Sequence, residues 1–596
     1  MRTIQSCKIA FVGAAMAALL SACGSKEQTS APRPADNIPL PSPPLVASCE
    51  PGIPGGRLVV ATFGNPKTFN PVTAAEHSSI EILQYLFASL LTMDWPTQDM
   101  LPGLAESWSM APDQKTWTFK LRHGLLWSDG QPLTADDVVF TWEVIYNPDI
   151  INVLVDQFRI NGKDFQVTKI DDYTVRVVTP EIYAPFLEAF GSVPVVPKHK
   201  LFQAVAEKRF GAAYGVDAKP EDLVGSGPFR IKQFKPDQFS LLERNPYFLE
   251  VDKQRQRLPY FENFVYSVVP DQNAVSLRFL HGESDVNERV RPDEYDRYKE
   301  ESSKGRFKLL DLGIGPETAF FWFNENTGTN STGKPCVDSK KLKWFRNQKF
   351  RQAVSYAVDR ESIVKAVYAG RAVPNYGPIT AANPKWQNTN VMQYPYNLEK
   401  ARALLADIGI KERDADGFLK DAEGNTVEFV LNTNTGNDIR GKTAVLIQED
   451  LKTLGFKVTF QPVEFNTLVQ KIDFSFDYDC VLMGLAGGGV DPVANMNVFK
   501  SSGFEHQWFP REKSPSTDWE AHIDMLMDEQ LKTLDYATRK KEFDEVQAIL
   551  AEQVPMIYTV APKSYAGVRS DIGNTRPTVL SYYRVTWNAE ELYFKK

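Results

Sequence analysis

Between residues 426 and 485 strand-like and helix-like runs alternate at a spacing that few folds can satisfy. Residues 426–431 (TVEFVL) read as a strand, and 438–454 carry apolar side chains at helical spacing. Residues 456–463 (FKVTFQPV) alternate like a strand, 465–472 suit a short helix, and 478–485 (YDCVLMGL) form an apolar strand. Strands separated by helices cannot be joined by hairpins, so the pattern predicts a parallel α/β sheet. In such sheets ligands sit beyond the carboxyl ends of the strands. Two loops fall there: 432–437 (NTNTGN) and 486–492 (AGGGVDP). Asn434, Asn437 and Arg440 stand near a helix N-terminus, where polar ligand groups are readily held. Gly487, Gly488 and Gly489 would let backbone approach a ligand closely. Asp491, before Pro492, is a candidate charge for the same site.

The rest of the chain shows similar alternation. Residues 57–63 (RLVVATF) and 117–121 are strand candidates, and 78–91 have helical spacing. Residues 134–146 predict a helix with Thr134 as N-cap, and Asp136 and Asp137 in the first turn complement its dipole rather than bind metal. Long charged helices are expected over 519–552. A chain of 596 residues exceeds what one core needs. Its 43% hydrophobic and 24% charged residues suit a soluble globular protein. A net charge of −8 opposes nucleic acid as a partner.

The N-terminus predicts export. Arg2 and Lys8 precede an apolar run too short to span a bilayer, which ends in Leu20-Ser21-Ala22-Cys23. This is similar to a bacterial lipobox, so residues 1–22 read as a lipoprotein signal peptide and Cys23 as the site of lipidation, holding the protein at a membrane. Residues 23–56, rich in Pro and Ser, read as an extended tether. Cys49, Cys336 and Cys480 then remain, enough for at most one disulfide.

Catalytic chemistry is not visible. Residues 328–334 (GTNSTGK) resemble a phosphate loop, but Pro335 stands where Ser or Thr is needed, and a polar surface loop is the better account. Gly225-Ser226-Gly227 is not a nucleophile elbow, and no H-E-x-x-H occurs. The six histidines are scattered. Neither a cofactor nor a metal is expected.

Three long motifs carry a family resemblance. Residues 102–146 (PGLAESWSMAPDQKTWTFKLRHGLLWSDGQPLTADDVVFTWEVIY), 225–229 (GSGPF) with 242–247 (LERNPY), and 350–363 (FRQAVSYAVDRESI) are similar to extracellular solute-binding proteins of family 5, the peptide, dipeptide and nickel group. The resemblance implies a two-lobe periplasmic binding protein fold of class II type, in its enlarged family-5 form, with a hinge between the lobes. Residues 57–310, with an inserted subdomain, would form one lobe, completed by 560–596; 311–559 would form the other. It implies a non-catalytic, monomeric receptor that captures a peptide or peptide-like solute outside the cytoplasm. The receptor would deliver that solute to the permease and ATPase subunits of an ABC importer. The alternative is an exported lipoprotein hydrolase, or a sensor that presents ligand on the same scaffold.

Related peptide receptors place an aspartate where Gly488 stands here and an arginine near Asn434. Both charges are therefore absent or displaced in this chain, with Asp491 and Arg440 as candidate replacements. Trp322 and Asn324, after the expected hinge crossing, are candidate contacts, although so apolar a run also suits a core. His506 and Trp508 lie in a loop (FEHQWFP) that could cover the cleft.

Overall fold

The strand expected at 57–63 forms as Arg57–Thr62, with Leu58 and Val60 buried on its inner face. It lies within an eight-stranded mixed sheet. Asn263–Val268 runs parallel to it on one side and Val286–Val290 on the other. The late strand Val560–Arg569 returns to pair antiparallel with both Val286–Val290 and Phe307–Ile314. In this computed structural model the described residues are 38–595, apart from 75, 153, 161, 331, 332, 486–488, 504 and 511. The segment expected to be a signal peptide, Cys23, Gly487 and Gly488 lie outside them. Among the described residues no helix is long and apolar enough to cross a membrane.

A four-stranded antiparallel sheet, Ala105–Met110, Thr116–Leu121, Thr174–Val178 and Gln166–Asp171, shares one apolar core with the first sheet. Its helix Ala135–Ile145 starts as the sequence predicts. Thr134 accepts from the Asp136 amide, and the Asp137 carboxylate accepts from the Thr134 amide at 2.9 Å. The aspartate pair is thus a capping device. The helix expected over 78–91 forms as His77–Leu86 and stops early. Leu91–Asp94 is instead a strand paired with Asp99–Pro102, and tertiary pairing overrides the apolar spacing there.

The second sheet has five strands in the order Lys457–Val463, Glu428–Asn434, Cys480–Leu485, Thr318–Phe323, Met556–Tyr558. The first three are parallel, with helix Asp438–Leu454 as a crossover. Thr318–Phe323 runs antiparallel to both neighbours, so the sheet is mixed rather than wholly parallel. Phe321, Phe323 and Leu482 enter the core on one face; Phe320, Trp322 and Val481 enter the core on the other. A strand covered on both faces needs a continuous apolar run, and TAFFWF supplies it.

Two sequence expectations need correction. Phe307–Ile314 belongs wholly to the eight-stranded sheet, so a lobe boundary after residue 310 would cut a strand. Residues 38–56 are docked rather than tethering: Leu45–Val46 pairs with Glu250–Val251, and buried Arg257 and Arg122 donate to the Ile38, Pro39 and Pro43 carbonyls at 2.8–3.0 Å. Within the limit of at most one disulfide that the sequence sets, Cys49, Cys336 and Cys480 are all free, buried thiols.

Candidate functional site

The chain passes between the two large sheets at Gly315, whose amide donates to Pro562 O at 2.8 Å, and at Thr559, whose amide donates to Ala319 O at 2.9 Å. Beside these crossings lies a cavity of about 210 Å³. Thr318, Phe320 and Tyr558 wall it from the five-stranded sheet, Val490 from the loop after Cys480–Leu485, and Leu580 from the C-terminal segment. It therefore sits at the carboxyl end of a strand and between the sheets, where an α/β fold places ligands.

Its polar lining includes Thr380, Asn383 and Glu505. Thr380 donates to Gly315 O at 2.7 Å and is already committed to the crossing. Asn383 donates to Val490 O at 2.7 Å and fixes the loop, while its Oδ1 has no hydrogen-bond partner. Glu505 supplies a carboxyl whose pKa burial raises, with Asp473 adding to the shift.

On the other face of the sheet from Phe320, Gly484 brings strand Cys480–Leu485 against Thr318: a Cβ there would lie 2.6 Å from Thr318 O and 3.6 Å from Arg440 Nη2. The Arg440 guanidinium donates to Asn434 Oδ1 at 2.8 Å and to Gly484 O at 3.5 Å. Among the described residues no carboxylate pairs with it. Burial lowers its pKa, partly offset by Tyr368. On the other lobe, Tyr582 is stacked by His77 at 4.1 Å and by the Arg289 guanidinium at 3.5 Å. Glu317, beside the crossing, accepts from Arg584 at 2.8 Å and lies 3.4 Å from Arg289.

The structure sorts the residues singled out from sequence. Gly489 lines the cavity, while Asn434 and Arg440 stand together at Gly484 and are not among the residues that line it. Asn437 is a helix cap that accepts from the Arg440 amide at 3.0 Å. Asp491 is not available to a ligand: it is buried, caps Pro492–Asn495, and pairs with both Arg539 Nη atoms at 2.8 Å. Trp322 is core, its indole donating to the Tyr478 hydroxyl at 3.3 Å. Asn324 is buried and donates to the Phe476 and Tyr478 carbonyls. His506 and Trp508 are fully buried and form no surface lid. Burial would lower the His506 imidazole, but Glu512 and Glu520 raise it above its ordinary value.

Sequence reasoning missed Phe320, Tyr558 and Leu580, which reach the cavity from three distant segments. The one signal was strand alternation, which puts Phe320 on the face shared with Trp322.

Two lobes of α/β structure, joined by crossing strands and holding a cavity at the junction, define a solute-binding protein of the two-lobe type. Residues 99–506 match the model of the bacterial extracellular solute-binding proteins, family 5, and the chain belongs to that family. Its members are receptors rather than enzymes, and so is this chain. The oligopeptide-binding protein AppA of Bacillus subtilis is 28% identical over 572 residues, covering 94% of this chain and 93% of that protein. Its structure in complex with a nonapeptide superposes with a TM-score of 0.72 at 27% identity, covering 92% of this chain and 100% of that one. A periplasmic alpha-galactoside-binding protein of Rhizobium meliloti is 28% identical over 402 residues, 63% of this chain and 56% of that protein.

Proposed function

We propose that the protein captures a peptide or peptide-like solute outside the cytoplasm and hands it to the permease of an ABC importer, anchored by lipid at Cys23 and acting as a monomer. The carrying observation is the cavity between the sheets together with Arg440, which stands outside the residues that line it: a half-buried guanidinium oriented by Asn434 and Gly484, with no carboxylate partner among the described residues. A desolvated cation of this kind fits a carboxylate-bearing ligand. Glu505, on the cavity wall, is the complementary group for an ammonium. Similarity to a receptor named for a nonapeptide complex supports the peptide class. The lobe boundaries we propose are the crossings at Gly315 and Thr559, with residues 38–314 and 560–595 in one lobe.

Thermal shift and calorimetry with peptides and oligosaccharides test this reading. A peptide at 100 times its dissociation constant should add about 2.7 kcal/mol of stability. Arg440→Met should weaken peptides with a free carboxylate by about tenfold or more, ~1.4 kcal/mol, and leave C-terminal amides unchanged. Stabilisation by oligosaccharides alone would replace the peptide assignment with a sugar.

A further inference from the structure

We propose that His506, Glu512 and Glu520 form a buried binding site for one divalent cation of the zinc type, separate from the solute cavity. Their ligating atoms lie within 4.8 Å of one another, and His506, Glu512 and Glu520 are only 0%, 6% and 3% exposed. His506 Nε2 is 3.5 Å from Glu512 Oε2 and 3.7 Å from Glu520 Oε1. These separations are too long for hydrogen bonds. They are close to the edge of a tetrahedral zinc site, where bonds of about 2.0–2.1 Å leave ligand atoms roughly 3.4 Å apart.

The polar atoms around the gap are left as a metal site would leave them. His506 Nδ1 is 3.1 Å from Val498 O, so it carries a hydrogen, and in the neutral ring Nε2 presents its lone pair to the centre. Among the described residues Nε2 and both Glu512 carboxylate oxygens have no hydrogen-bond partner. Glu520 is held as a ligating carboxylate is held: the Trp508 indole donates to Oε1 at 2.9 Å, and Thr517 and Ser516 donate to Oε2 at 2.7 and 3.1 Å.

Charge points the same way. Glu325, buried nearby, is paired with Arg351 at 3.0 Å. Arg346 donates to the Glu325 carbonyl and to Ser516 rather than to Glu512 or Glu520. Among the described residues two carboxylates thus remain beside one imidazole, and an imidazolium would balance only one of them. A divalent cation with neutral imidazole balances both and satisfies Nε2 and one of the Glu512 oxygens, with one position left for water. One nitrogen and two carboxylate ligands suit zinc better than the hard cations, which prefer all-oxygen shells.

The ion would act structurally. It would tie the segment between Met496–Phe499 and helix Asp518–Glu529 onto that helix, and Val498, Phe499 and Glu505 of this region border the solute cavity. The test is elemental analysis of the purified, tag-free full chain after exposure to zinc and desalting, with zinc-edge X-ray absorption on the same sample. We expect about one equivalent of zinc bound by one imidazole and oxygen ligands, with no sulfur. Glu512→Gln, nearly isosteric, should keep the native circular dichroism while losing most of the metal and the chelator sensitivity of the melting temperature. Less than about 0.1 equivalent of bound metal, or an unchanged content in Glu512→Gln, would overturn the site. So would nitrogen NMR showing both His506 nitrogens protonated in the zinc-exposed protein, which would make the cluster a plain ion pair.

Discussion

Asp491 shows how much of a residue's role depends on a partner far along the chain. Its carboxylate takes both Nη atoms of Arg539, whose remaining donors go to Gln530 and whose guanidinium lies 5.0 Å from the Trp386 ring centroid. Removing one member of a buried pair strands the other, so Asp491→Asn should cost about 3–5 kcal/mol in denaturant unfolding. At pH 5 the solute affinity of the folded fraction should hardly change. The reverse result, intact stability with lost binding, would restore Asp491 as a ligand anchor. The sequence displayed Asp491 in a glycine-rich loop, but Arg539 sits on helix Tyr536–Gln553, and no local pattern links the two. Arg440 was legible because its neighbours Asn434 and Asn437 belong to the same loop and helix start. Trp322 and Asn324 were ambiguous for the opposite reason: a strand buried on both faces has no solvent-facing side to reveal its direction.

Elements were legible where local signals and tertiary demands agree. Helix Asp438–Leu454 forms at the bounds its apolar spacing gives, because Asn437 caps it and Gly455 ends it. The segment 38–56 was not legible, since its order comes from backbone carbonyls accepting from Arg122 and Arg257 elsewhere. The family motif at 225–229 has a steric explanation. A Cβ on Gly225 would land on the Leu86 carbonyl oxygen, and one on Gly227 on that of Tyr85, where the Gly227 amide donates to Leu86 O at 2.9 Å. The close approach locks the end of helix His77–Leu86 onto the strand that follows the motif. Gly225→Ala must therefore push backbone against backbone and should cost about 3 kcal/mol or more, read as a lowered urea midpoint. An equal midpoint would show that the helix end is free to shift.

At the scale of the whole molecule the lobes meet at Glu188. It lies on helix Phe186–Gly191, while Gly489 and Asp491 approach from the other lobe, and the Ala184 amide donates to Leu531 O at 2.8 Å across the same contact. Burial, with the Asp491 charge behind it, raises Glu188 to about 7; the Asp491 amide, Lys385 and Arg539 pull the other way. No periodicity announced this meeting, because its members come from three distant segments. If the lobes open to release solute, Glu188 returns to water and to its ordinary carboxylate value near 4.5. The closed form then binds the proton more tightly. Closure is favoured in full below that ordinary value, loses ground as pH rises toward 7, and changes little above it. Solute affinity should therefore fall by about tenfold between pH 5 and pH 8, an amount discounted for the partial exposure of the carboxyl. Glu188→Gln should bind as the wild type does at pH 5 and lose the slope. Titration calorimetry of both proteins across that range, with small-angle scattering to follow the open and closed forms, measures it. A slope retained in Glu188→Gln would move the proton uptake to another group, and a wild type with no slope would mean that Glu188 stays solvated when the lobes close.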